Sequence, residues 1–210
     1  MRWAFLVLLM PSQLFAIENG TLLFVENGQN LVECYTKSSY SHVAIVLDDC
    51  VYEAELPEVK KYTVQEWFTN IGKYNDGKGS PALVEIQAPD KPYTKEELGK
   101  MKVFLESQVG RRYSIRGYLR KIPGTGIHCS EMCATALESS GRCNFSVQNC
   151  EISPGDLHDW ISGHHQVGNQ LYVRIKPEHR RTLCSRWSDW WKHKGTACGW
   201  SCCESLTFCW

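Results

Sequence analysis

An α+β fold is what this sequence predicts, and three stretches carry the prediction. The first is SHVAIVLDDCVYEAEL, where His42 to Leu47 and Cys50 to Glu55 are rich in β-branched and apolar residues and flank the turn signal Asp48-Asp49, the pattern of a hairpin. The second opens at Thr94. Thr94 and Glu97 form a capping box, Leu98, Met101, Leu105 and Val109 recur on one helical face, and Gly110 closes the helix. The third is GIHCSEMCATALESSG, from Gly126 to Gly141. Here Met132, Cys133, Ala136 and Leu137 form an apolar stripe, and Cys129 stands in the first helical turn.

Taken in order, the chain divides at 1–16, 17–177 and 178–210. Arg2 followed by the apolar run Trp3 to Met10, then Pro11 and Leu14-Phe15-Ala16, has the form of a secretory signal peptide and is too short to span a bilayer. The predicted localisation is therefore secreted or periplasmic. Thr21 to Val25, bounded by Gly20 and Asn27-Gly28, is a buried-strand pattern, and Gln29 to Tyr35 has the length of a short helix. After the hairpin, Val64 to Ile71 reads as an amphipathic helix and Tyr74 to Ser80 as a polar, glycine-rich loop. Ala82 to Gln87 is a third strand. Arg111 to Ile127 is a long connection. Cys143 and Cys150 bracket a short loop and are candidates to bridge. Ser153-Pro154 is an N-cap followed by proline at the first helical position, and Leu171 to Ile175 is a late strand. The tail, 178–210, crowds five cysteines (Cys184, Cys198, Cys202, Cys203, Cys209) and five tryptophans into a short segment. That composition fits a disulfide-stapled appendage. Trp187, Trp190 and Trp191 beside Arg186 and Lys192 also suit a surface contact.

Composition removes some functions. Lys plus Arg and Asp plus Glu are both 23, so no acidic or basic field directs the chain to nucleic acid. No later stretch is long and apolar enough for a transmembrane span. With 43% hydrophobic residues the 210-residue chain can bury one sizeable core. Eleven cysteines agree with an exported, disulfide-bearing protein, and the odd count leaves one thiol over in an oxidised monomer.

A cysteine at a helix start lies over unpaired backbone N–H groups and the positive end of the dipole, both of which favour the thiolate nucleophile. Cys129 is the candidate nucleophile. His42, at the head of a strand, is the candidate base, and Glu53, on the paired strand, is the candidate to orient the imidazole. Tyr113 and Tyr118 are candidate oxyanion or substrate contacts. No metal and no cofactor is called for: His158, His164 and His165, with Cys150 and Asp156, match no standard zinc spacing.

These motifs, in the order SHVAIVL, VYEAE, GRRY, HCSEMCATAL and SPGDL, with GTLLFVENGQN ahead of them, resemble the YiiX/YebB-like permuted papain-fold thiol hydrolases. Those are relatives of the NlpC-type cell-wall peptidases. The resemblance covers roughly Gly20 to Leu157. It implies a central antiparallel sheet packed against helices, with Cys129 as nucleophile, His42 as base, Glu53 as third member and Glu131 in a structural part near the site. Thr21, where the family often has an acidic residue, and Ser114 after Tyr113, where it often has Asp, depart from the pattern. The implied activity is hydrolysis of an amide, in a peptide or peptidoglycan-like substrate, through an acyl-thioester. Two alternatives stand beside it. One is a lipid acyl hydrolase or acyltransferase on the same fold. The other is a non-catalytic secreted binding protein with Cys129 in a disulfide.

Overall fold

The structure is a computed structural model and describes residues 17–26, 36, 38–71 and 82–173. The expected signal peptide, the Gln29 to Tyr35 helix, the Tyr74 to Ser80 loop, the end of the late strand and the tail lie outside these residues.

The described chain is α+β. Its sheet has six strands: β1 Leu22–Glu26, β2 Tyr40–Leu47, β3 Cys50–Ala54, β4 Val59–Thr63, β5 Ala82–Pro89 and β6 His165–Val173. Their spatial order is β4-β3-β2-β1-β5-β6, and every neighbouring pair is antiparallel. The helices are α1 Val64–Ile71, α2 Lys95–Gln108, α3 Arg116–Arg120, α4 Cys129–Ser140 and α5 Pro154–Trp160. None is long and apolar enough to cross a membrane.

The β2–β3 hairpin turns through Asp48 and Asp49, with φ 52° and 56°. Two successive left-handed residues make the turn whose twist matches a right-twisted strand pair, and Asp tolerates that conformation. The period-two alternation of β1 and β2 then sorts side chains to two cores. Leu22, Phe24, Val43 and Ile45 face α2 and α4, packing with Met101, Leu105, Met132 and Leu137. Leu23, Val25, Ala44, Val46 and Val51 face the other way, onto Trp67 and Ile71 of α1. The central strands are covered on both sides, and so they read as continuous apolar runs.

Caps set the helix ends. The Thr94–Glu97 capping box opens α2, and Ser153 with Asp156 makes the same box at α5, with Pro154 at the first turn. Gly141, at φ 88°, ends α4. Three features differ from the sequence expectation. β4 pairs on the outer edge of β3, where Lys60 and Lys61 mask a strand pattern; lysine is common on edges because it blocks further pairing. β6 starts at His165, six residues before Leu171, because its polar first half needs only one partner strand. α3 interrupts the connection between Arg111 and Ile127. The suggested Cys143–Cys150 bridge is also absent: both are unbonded thiols, as are Cys50, Cys129 and Cys133. Cys143 follows the end of α4 beside Arg142 and Tyr93, whereas Cys150 packs against Gly117 of α3.

The stretch before α4 is pinned to 112–114. Ile127 N–H donates to the Arg112 carbonyl at 3.0 Å, and Ser114 N–H to the Ile127 carbonyl at 3.1 Å. The Arg111 guanidinium donates to the carbonyls of Gly124, Thr125 and Gly126 at 3.3, 3.2 and 3.0 Å. A Cβ on Gly126 would lie 2.4 Å from Ser114 Cβ and 2.9 Å from the Arg112 carbonyl oxygen. Gly126→Ala is therefore expected to force these segments apart and to lower stability by about 1–3 kcal/mol, the usual cost of overpacking, as read from urea unfolding. An unchanged unfolding midpoint would show that the contact yields freely.

Candidate active site

Cys129 is the first residue of α4, and His128 is its N-cap. The helix packs against α2 on one side and β2 on the other, and this brings the sulfur to the head of β2. There His42 is hydrogen-bonded to Cys129. The imidazole Nε2 donates to Glu53 Oε2 at 2.9 Å, which leaves Nδ1 as the ring nitrogen for the sulfur. The β2–β3 register runs from Leu47↔Cys50 to Ile45↔Tyr52, and His42 and Glu53 both lie past its end. All three residues are buried, with Cys129 4%, His42 7% and Glu53 1% exposed, so water does little to screen the charges among them.

The electrostatics follow from that burial. Burial alone pushes the Cys129 thiol up. Hydrogen bonds to His128 and His42, and the charges of both rings, outweigh it and bring the thiol down to about 5. Burial alone lowers the His42 imidazole. The bonds to Cys129 and Glu53, with their charges, lift it to about 10. Each partner stabilises the ionised form of the other, and between these values the pair is thiolate and imidazolium. The positive end of α4 adds in the same direction.

The remaining sequence candidates fall around this pair. Tyr113 lies close enough to Cys129 that burial, and then the sulfur charge, push its phenol upward. Tyr118 of α3 stands edge-on to the His128 ring with centroids 6.0 Å apart. Glu131, nearly buried, faces His128 with Oε2 3.6 Å from Nε2; burial raises its carboxyl against the pull of His128 and Arg111.

Two residues at the site escaped the sequence reading. His128 borders the sulfur and has partners on both nitrogens. Nε2 lies 3.0 Å from the Cys150 carbonyl oxygen, while Nδ1 lies 3.1 Å from Ser130 Oγ and 3.4 Å from the Glu131 backbone nitrogen. Burial opposes its charged form, but the bond to Cys129 and the charges of Cys129 and Glu131 raise it overall. Its only signal in sequence is adjacency to the nucleophile at a cap position. Trp67 donates its indole N–H to Glu53 Oε2 at 2.7 Å. An apolar-face tryptophan gives no hint in sequence that its one polar atom has such a partner.

The histidines weighed as metal ligands disperse. His158 Nε2 meets Glu85 Oε1 at 2.7 Å and Tyr40 Oη at 2.9 Å, and its ring stacks on Tyr40. His165 Nε2 donates to the Gly20 carbonyl at 3.1 Å, and Cys150 lies under α3. Among the described residues, no group of three or more His, Cys, Asp or Glu side chains is placed to hold a metal ion.

No protein-family model and no curated protein matches the chain. Among solved structures it is similar to the crystal structure of metalloprotein yiiX from Escherichia coli O157:H7, with a TM-score of 0.47 and 16% sequence identity. The match covers 59% of this chain and 66% of that one.

Proposed function

We propose that this chain is a thiol hydrolase of the permuted papain type that cleaves an amide bond through an acyl-thioester on Cys129. One observation carries the reading: an ordered, buried line in which Cys129 meets His42 and His42 meets Glu53. The Cys129 thiolate attacks the carbonyl carbon and the C=O electron pair moves to oxygen. In this reading the backbone N–H groups that open α4, which a helix start leaves without intrahelical partners, receive that oxyanion, and the Tyr113 hydroxyl is a further candidate donor. As the tetrahedral centre collapses, the C–N bond breaks. The His42 imidazolium gives its proton to the departing amine, leaving a thioester and neutral His42. His42 then takes a proton from water, the hydroxide attacks the thioester, and the carboxylic acid leaves as the thiolate and imidazolium re-form. Glu53 keeps the ring oriented throughout and favours its charged form.

The proposed compartment is outside the cytosol, on the strength of the apolar run near the start of the sequence. A peptide or peptidoglycan-like amide is the proposed substrate class, by kinship with cell-wall peptidases at the level of fold. The deciding measurement is mass spectrometry of unreduced protein after brief iodoacetamide treatment at pH 6. Cys129 is expected to be alkylated faster than a free peptide thiol, and faster than Cys133, whose thiol burial pushes well up. Cys129 recovered in a disulfide, or labelled no faster than the peptide, would leave a binding protein with no reaction. Turnover of murein fragments against phospholipid vesicles then separates an amidase from a lipid acyl hydrolase.

A further inference from the structure

Glu53 Oε2 accepts two N–H groups, from His42 Nε2 at 2.9 Å and from Trp67 Nε1 at 2.7 Å. The two donors tie the carboxylate to helices on opposite faces of the sheet. His42 leads to Cys129 on α4, which packs on one face of the sheet, while Trp67 belongs to α1, which packs on the other. Glu53 and Trp67 are 1% and 0% exposed, so no bulk water takes the place of the indole if it is removed. An indole N–H can only donate, and it does not titrate in the working range. It therefore fixes the carboxylate in one sense: it satisfies a lone pair of the charged form and turns Oε2 toward the imidazole. Without that donor Oε2 keeps only the imidazole as a partner, and the carboxylate is free to turn away from His42.

Resting on the thiol-hydrolase reading, we propose that Trp67 is a positioning residue for the nucleophile. It holds the Glu53 carboxylate aimed at His42, and so keeps the imidazole in place against Cys129, from across the sheet. Trp67 touches neither sulfur nor substrate and acts only through Glu53. The expected consequence is a displaced acid limb in the reactivity of Cys129, without loss of its intrinsic reactivity once deprotonated.

The test is Trp67→Phe in the full chain, which keeps a large apolar ring and removes the donor. The pH dependence of iodoacetamide alkylation at Cys129 is followed by mass spectrometry, with a thermal melt alongside. The acid limb is expected to move up by about one pH unit. Alkylation at pH 4.5 then falls roughly eightfold, while the rate at pH 9 stays within about twofold of wild type. Trp67→His, which retains a ring N–H, is expected to recover part of the shift. A lowered melting temperature with an unmoved acid limb would make Trp67 a packing residue only and overturn the proposal. If Trp67→Phe does not fold, Glu53→Gln reads the same link from its other end, and an unmoved acid limb there overturns it equally. A wild-type protein with no low-pH alkylation at Cys129 would instead overturn the hydrolase reading, so the two failures are distinct.

Discussion

His42→Ala is expected to lower alkylation of Cys129 at pH 6 by about two orders of magnitude and to restore most of it by pH 10. The reason is the balance at the sulfur. Burial pushes the thiol up, and His42 supplies both a hydrogen bond and a charge on the other side of that balance. Without it the thiolate is scarce at pH 6, and the alkylation rate follows the thiolate fraction. His128 remains, so the thiol does not rise as far as burial alone would take it. Amide turnover is expected to fall further, by about 10³–10⁴, because the same ring protonates the leaving amine. An acid limb that stays in place would mean that His128 and the helix start hold the thiolate by themselves, and His42 would lose its part in the mechanism.

Glu53→Ala carries the largest expected effect on stability. It removes the charge facing a buried imidazolium and orphans the Trp67 N–H. Breaking one side of a buried pair costs about 3–5 kcal/mol. The pH dependence of wild-type stability has a definite sign. His42 lies at about 10 in the folded chain against an ordinary 6.5, so its contribution is complete below 6.5 and is lost as pH rises through 10. Cys129 lies at about 5 against an ordinary 9, so its contribution is complete above 9 and is lost as pH falls through 5. Between 6.5 and 9 the folded and unfolded chains each carry one proton on the pair, and this pair leaves stability level. Below 6.5 the unfolded chain binds one proton more, and stability falls on acidification. Above 9 it binds one fewer, and stability falls on going alkaline. Chemical denaturation across pH 5 to 10 should trace that plateau in wild type. In Glu53→Ala the alkaline fall should end at lower pH, since His42 loses one of its two supports and releases its proton earlier. An alkaline fall that still runs up to pH 10 in the variant would remove Glu53 from the line.

Much of the fold was legible in the residues because local signals and burial pointed the same way. Asp48-Asp49 had to be a turn between two apolar runs, Thr94 with Glu97 had to be a helix start, and Gly141 had to be an end. Where burial and composition diverged, the reading missed. β4 carries Lys60 and Lys61 at its centre, and the first half of β6 is polar, so neither shows the apolar pattern of a strand.

At the site, the order of Cys129, His42 and Glu53 by residue type and position was available in the sequence, because a nucleophile, a base and an acid differ visibly in chemistry. Their meeting was not. His42 and Glu53 come together on adjacent strands, beyond the last β2–β3 pair Ile45↔Tyr52, and Cys129 joins them because α4 packs on β2. The depressed thiol is likewise a property of burial beside two imidazoles, and the part of Trp67 depends on one indole nitrogen lying 2.7 Å from one carboxylate oxygen. The sequence by itself determined which groups the chain has and where the capped helices and the apolar strands lie, through short-range propensity and capping. Which of those groups share a low-dielectric space was decided only by tertiary packing, because charge coupling depends on distance and desolvation, and neither is written in the order of residues.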